Sequence, residues 1–136
     1  MAKRRKIREL AVQALFAVAI GKDNPEATFD LICDNFIAEK GTRPLSKQLF
    51  LGVCSKRDIL DELIAAASKH WRIERMPPVD LSILRLAVFE MIFVDDVPPK
   101  VAIDEALEIG KKFGSEKSVA FLNGVLDRVY KDVALR

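Results

Sequence analysis

The chain has 136 residues, 50% of them hydrophobic and 31% charged, with 22 Lys and Arg against 20 Asp and Glu for a formal net charge of +2. This composition supports one domain with its own core and excludes intrinsic disorder and a collagen-like chain; two cysteines are too few for a disulfide scaffold. The small net charge hides an asymmetry, because Lys3, Arg4, Arg5, Lys6 and Arg8 put five positive charges on residues 3–8 with no acid and leave −3 on the remainder.

Ala, Leu, Ile, Lys and Glu recur at three- and four-residue intervals with no strand-type alternation, which predicts an all-α fold. A first helix is expected over residues 3–20, ended by Gly21 as a left-handed cap residue. Its start imitates a secretory signal, with KRRKIR, then LAVQALFAVAI and the small residues Ala17-Val18-Ala19. Glu9 and Gln13 interrupt that signal, and the helical period has a purpose only in a folded helix. No apolar run reaches the ~18 to 20 residues that cross a bilayer, since Gln13 and Glu90 break the longest ones. Asn24-Pro25 reads as an N-cap followed by proline at the first helical position. The second helix carries Ala27, Leu31, Phe36 and Ile37 and stops before Gly41.

Residues 42–44 punctuate the chain, and Leu45, Leu49 and Val53 with Phe50 mark a third helix up to Cys54. Ser55 with Asp58 resembles a capping box for a fourth helix over residues 59–71, with Leu60, Leu63, Ile64 and Ala67 on one side. Pro77-Pro78 makes the clearest internal boundary. Asp80 is placed to cap LSILRLAVFEMIF, apolar on nearly every side apart from Ser82, Arg85 and Glu90, the pattern of a helix surrounded by others. After Asp95-Asp96 and Pro98-Pro99, a sixth helix covers residues 101–113 and ends at Gly114. Ser115 opens a last helix through Val133. The expectation is about seven helices in two small packed bundles that meet near the double proline, as a single compact domain over residues 1–136.

Catalytic signatures are absent from the sequence. A single histidine, His70, cannot supply a His-rich metal site, and there is no HExxH, GxSxG, Walker-type or GxGxxG pattern. The acid pairs Asp95-Asp96 and Asp104-Glu105 read as helix-end and solvated charges, and Trp71 as a packing anchor. No chemical step, metal or cofactor is expected. Cys33 and Cys54 lack metal spacing and read as free thiols of a cytoplasmic protein.

The basic arm has a sharper geometry at 100° per residue. Ile7, Leu10, Ala11, Ala14 and Val18 form a core stripe, while Arg5, Glu9, Val12 and Phe16 lie roughly opposite with Arg8 flanking them. Arginines beside an outward aromatic suit single-stranded RNA, because guanidinium groups neutralise phosphate while the ring stacks on an unpaired base. Two readings of Phe16 are open: stacking on RNA, or packing against another helix above a merely solvated arm. A second basic and aromatic patch holds Lys100, Lys111, Lys112, Phe113, Phe121 and Arg128. Phe121, Val125 and Arg128 share a stripe, and Gly124 within it implies a close neighbour, a helix or a ligand.

Three segments, RRKIRELAVQALF, RMPPVDLSILRLAVFEM and DDVPPKVAIDEALEIGKKFGSEKSVAFLNGVLDRV, resemble the NusB transcription antitermination factor family in order and spacing. The resemblance implies an RNA-binding helical protein that pairs with a small-subunit ribosomal protein, NusE, and recognises the boxA element of nascent transcripts. It further implies that this complex joins RNA polymerase and other Nus factors to suppress premature termination during ribosomal RNA transcription. Carried onto matching positions, Arg4, Arg5 and Arg8 would hold phosphates and Phe16 would stand where a tyrosine is common. Phe113, Phe121, Lys100 and Lys112 would continue the RNA path, with Arg128 beyond.

The chain departs from the family pattern at Asp104, in place of a frequent asparagine, at Pro99, in place of a bulkier residue, and at Lys117, in place of an acid. The NusE surface is expected around residues 74–89. Some family members form homodimers that bury the arm. The methyltransferase relatives need a second large domain for which a chain ending at Arg136 leaves no room. The competing functions are a helical adaptor that binds proteins only and an enzyme built on Asp104, Glu105 and Lys111.

Overall fold

The computed structural model describes residues 2–21, 24–35, 41–69 and 71–134. Among them seven α-helices follow in order: α1 (Ala2–Gly21), α2 (Pro25–Asn35), α3 (Arg43–Ser55), α4 (Arg57–Ala67), α5 (Pro78–Phe93), α6 (Pro99–Phe113) and α7 (Glu116–Ala134). A 3₁₀ turn, Ile73–Arg75, leads into α5. Phe36, Ile37 and His70, named from the sequence, lie outside the described residues.

Two helix starts form as their sequences dictate. Asn24 Oδ1 accepts the Ala27 N–H at 3.0 Å and Ser115 Oγ accepts the Ser118 N–H at 3.2 Å, each satisfying an amide that the first turn leaves without a partner. Two others differ. Ser55 belongs to the last turn of α3, where its hydroxyl donates to the Gly52 carbonyl at 2.9 Å, so no capping box opens α4. That helix starts at Arg57 and ends at Ala67, short of Trp71. Asp80 lies inside the first turn of α5 and is not its cap, because Pro78, with no N–H to satisfy and a fixed φ, starts the helix two residues earlier. Burial pushes the Asp80 carboxyl up, against a hydrogen bond from Ser118 that pulls it down.

Helix α5 is the axis of the fold. Every residue from Asp80 to Val88 is buried, including Ser82 and Arg85, and α1, α3, α4, α6 and α7 all pack against it. Helices α1, α2 and α3 make one group and α4, α6 and α7 the other. They meet along α5 itself and not at the Pro77-Pro78 junction. On α4 the expected stripe holds, with Leu60, Leu63 and Ile64 buried. On α2 the inward side is Phe29 and Cys33, while Leu31 is 60% exposed and Ala27 faces solvent. The reason is the partner: Phe29 meets Phe50 of α3 with ring centroids 5.3 Å apart. Leu45 at the start of α3 is likewise exposed.

A close approach of α3 to α5 depends on Gly52. An added Cβ there would run into the Phe89 ring, which is itself packed 5.4 Å from the Phe93 ring. Gly124 is the reverse case. No protein atom outside its own helix lies within 4 Å of its Cβ position, so no neighbouring helix approaches it and the glycine faces open space.

The polar residues of α5 are matched. Arg85 donates to both Asp61 oxygens at 2.8 and 3.0 Å. Glu90, 3% exposed, receives Arg8 of α1, 6% exposed, with Nε to Oε1 at 2.8 Å and Nη2 to Oε2 at 2.9 Å. Among the described residues no buried side-chain nitrogen or oxygen lacks a partner. Arg8 is therefore a core residue, and the expectation that it flanks an outward face is corrected. At 100° per residue the buried arc of α1, from Leu10 through Ala11 and Leu15 to Val12, spans about 200°, and Arg8 falls inside it.

Three stability measurements follow from this packing. Arg8→Met should lower the free energy of unfolding by about 3–5 kcal/mol, by leaving Glu90 buried and unpaired, and Arg8→Met/Glu90→Met should recover most of it in a urea titration. Gly52→Ala should cost about 1–3 kcal/mol through displacement of the Phe89 ring. An acid whose folded pKa is raised contributes stability below its unfolded pKa and loses it as pH rises through the folded value. Asp80→Asn should accordingly melt higher than wild type at pH 7, with the gap closing as acid protonates Asp80; a gap independent of pH would rule out its carboxyl as the cause.

Candidate nucleic-acid interface

The basic arm folds as the first turns of α1, and its arginines leave in different directions. Arg4 is exposed and lines an open cleft of about 590 Å³ with Leu45, Leu49, Phe89, Phe93 and Asp95. Arg5 turns to α6, where Nε and Nη2 both donate to Glu105 Oε2, at 3.2 and 2.8 Å. Glu105 and nearby Glu108 and Glu9 hold the Arg5 guanidinium pKa above its ordinary value. Arg8 reaches Glu105 Oε1 only at 3.5 Å, with its shorter bonds spent on Glu90. A guanidinium enclosed this way has no free edge for phosphate, which removes Arg8 from the direct-contact set.

One turn further on, Glu9 accepts Lys112 of α6 at 2.9 Å. The pairs Arg5 with Glu105 and Glu9 with Lys112 advance together along both helices, so long side chains bridge α1 to α6 at the surface. This explains Val12. Placed on the arginine side by its spacing, it is 3% exposed, in the interior lined by Ile83, Leu86, Ala87, Ala102 and Ile109. The side of α1 that carries Arg5 and Val12 is thus a seam with α6, and solvent reaches only its rim.

Phe16, two turns beyond Glu9 on this rim, is half-buried. Phe113 and Phe121 are half-buried and pack against the core. Lys112 Nζ stands 5.5 Å from the Phe113 ring centroid, within cation–π range. Lys100 is exposed at the start of α6, about 18 Å along the helix axis from Lys112. On α7, Val125 is buried while Arg128 is exposed and its Nε meets Asp132 at 3.1 Å, so the proposed stripe passes from surface to core. Trp71 is 53% exposed, with its ring edge-on to Phe121 at 6.2 Å, and covers the rim more than it anchors the interior.

Of the named basic residues, Arg4 and Lys100 form no ion pair among the described residues, whereas Arg5, Lys112 and Arg128 each hold an acid. Glu9, Glu105 and Asp132 were not singled out from the sequence as partners of these cations. The expected NusE surface at residues 74–89 is accessible at its start, around Glu74, Arg75, Pro77 and Pro78, and at Phe89, while Asp80 to Val88 between them form the core. Glu105 and Lys111 do not converge on a reacting site: Glu105 is taken by arginine and Lys111 by Glu108 at 3.1 Å. Among the described residues no group of His, Cys, Asp and Glu is placed to hold a metal ion, and no helix is long and apolar enough to cross a membrane.

Known proteins share this fold. The transcription antitermination protein NusB of Desulfosudis oleivorans is 45% identical over 136 residues, covering 98% of this chain and 88% of its own length. The structure of T. maritima NusB superposes with a TM-score of 0.86 at 34% identity, over 94% of this chain and 90% of that one. In a solved complex of the antitermination factors NusB and NusE with double-stranded RNA, a chain 28% identical superposes with a TM-score of 0.85, over 97% of this chain and 98% of its own. The model of the NusB family matches residues 5–131, from the arm to the last turns of α7, and this chain belongs to that family.

Proposed function

We propose that the chain is a transcription antitermination factor that binds single-stranded boxA-type RNA together with NusE and acts with RNA polymerase and other Nus factors on ribosomal RNA operons. The observation that carries this reading is the set of exposed cations and half-buried aromatic rings on α1, α6 and α7, with Arg5 and Lys112 on the α1–α6 seam and Arg4 in the neighbouring cleft. Arg4, Arg5, Lys100 and Lys112 supply charge for phosphates; Phe16, Phe113 and Phe121 supply ring surface for unpaired bases. Arg128 extends the path along α7. Arg8 acts beneath them, by fixing α1. Phe16 lacks a hydroxyl, so it offers stacking alone. The relatives named for antitermination and the neighbour solved with NusE and RNA support the same assignment.

The function is binding without a chemical step, needs no cofactor, and belongs to the cytoplasm, where transcripts emerge. The second reading is a protein-only adaptor. It is favoured by the ion pairs that occupy Arg5, Lys112 and Arg128, since a cation already matched by an acid has less to offer a phosphate.

RNA titrations over a salt series, with and without NusE, separate the two. Arg4→Ala/Lys100→Ala should flatten the single-strand salt slope by about 1.4, at ~0.7 per phosphate contact. Phe16→Ala should weaken binding by about 1–3 kcal/mol. NusE capture with no gain in RNA affinity would establish the adaptor instead. Mass measurement of the protein alone and with NusE and RNA distinguishes monomer, arm-covering homodimer and ternary complex.

A further inference from the structure

Glu105 makes its short hydrogen bonds at the surface and not in the core. Its Oε2 takes two donors from Arg5, at 2.8 and 3.2 Å, while its Oε1 lies 3.5 Å from Arg8. Arg8 is already held by both oxygens of Glu90. The interior therefore has little need of Glu105, and an ion pair to an arginine whose side chain is 45% exposed adds little to stability. What the pair does is geometric. Glu105, only 14% exposed on a rigid helix, grips the Nε and Nη2 edge of the Arg5 guanidinium and leaves Nη1 without a partner among the described residues. A planar fork held by one edge presents the other in a fixed direction.

We infer that Glu105 is a specificity-determining positioning residue: it aims the free edge of Arg5 at one phosphate position while cancelling the charge that would attract any polyanion. This rests on the RNA-binding reading above. The second half follows from counterion release, since a cation already neutralised by a carboxylate contributes less to sequence-independent affinity than a free one. The first half follows from ordering, since an arginine fixed before binding loses less rotamer freedom when the phosphate arrives. An RNA whose backbone places a phosphate at that edge gains from the fixed fork. Other RNAs meet a neutral pair.

The test compares wild type, Glu105→Gln, Arg5→Ala and the double variant against a boxA-type RNA and an oligouridylate of equal length, each across a salt series. Glu105→Gln keeps the shape of the side chain, and its thermal melt should stay near wild type. It should bind oligouridylate more tightly, reduce the boxA-to-oligouridylate affinity ratio by about 5- to 10-fold, and steepen the salt slope by about 0.7. In the Arg5→Ala background the same change should move neither quantity. A wild-type ratio and slope in Glu105→Gln overturn the inference, as does an effect that persists without Arg5. If wild type binds neither RNA, the RNA reading fails first and takes the inference with it; binding by wild type with an unmoved ratio removes the role of Glu105 alone.

Discussion

Helix α5 has no side that can face water over most of its length, and the rest of the molecule follows from that constraint. An apolar cylinder needs neighbours all round, and five helices supply them. The same burial encloses Glu90, one turn before the helix ends. A carboxylate out of contact with water must be matched by a cation or lose its charge. Arg8 meets that requirement, which ties the beginning of α1 to the end of α5. The direction in which Arg4 and Arg5 leave the helix is thus a by-product of core electrostatics. The proposed RNA-contact residues of α1 inherit their geometry from an ion pair buried beneath them.

Much of this architecture is legible in one sequence because helix ends carry local chemistry. Asn24 before Pro25, Ser115 before the last helix and the prolines ahead of α5 and α6 each act within one turn, where no distant partner competes. The readings that failed depend on partners far along the chain. Leu31 has the right period, but Phe50 decides which side of α2 turns inward. Arg8 sits in a run of bases, and its partner is 82 residues away. Glu90 is one of three polar residues in an otherwise apolar segment, and it needs a cation once that segment is buried. Nothing local said which one.

The arm is therefore two things at once. Arg8 belongs to the core, Arg5 to the seam with α6, and Arg4 to the cleft beside Phe89 and Phe93, although all three lie within five consecutive residues. Counting charges along the chain treats them as one basic patch; winding them onto a helix divides them. Glu105 on α6 and Glu9 on α1 itself complete the division by matching Arg5 and Lys112 across the seam, while Arg4 and Lys100 form no ion pair among the described residues. Family membership identifies the scaffold and its RNA association, whereas this alternation of bare and matched cations belongs to the chain's own side chains. Two departures from the family pattern, Asp104 and Lys117, are exposed and take no part in the seam's ion pairs.

The edge-on contact between Trp71 and Phe121 has a practical side. The chain contains a single tryptophan, and that indole is half in solvent beside one of the rings assigned to the RNA path. Its emission therefore comes from one known place, at the border of α7, with no second indole to blur it. Anything that settles on this border changes the polarity around that ring. The unlabelled protein thus carries an optical reporter beside one of the rings proposed to contact RNA.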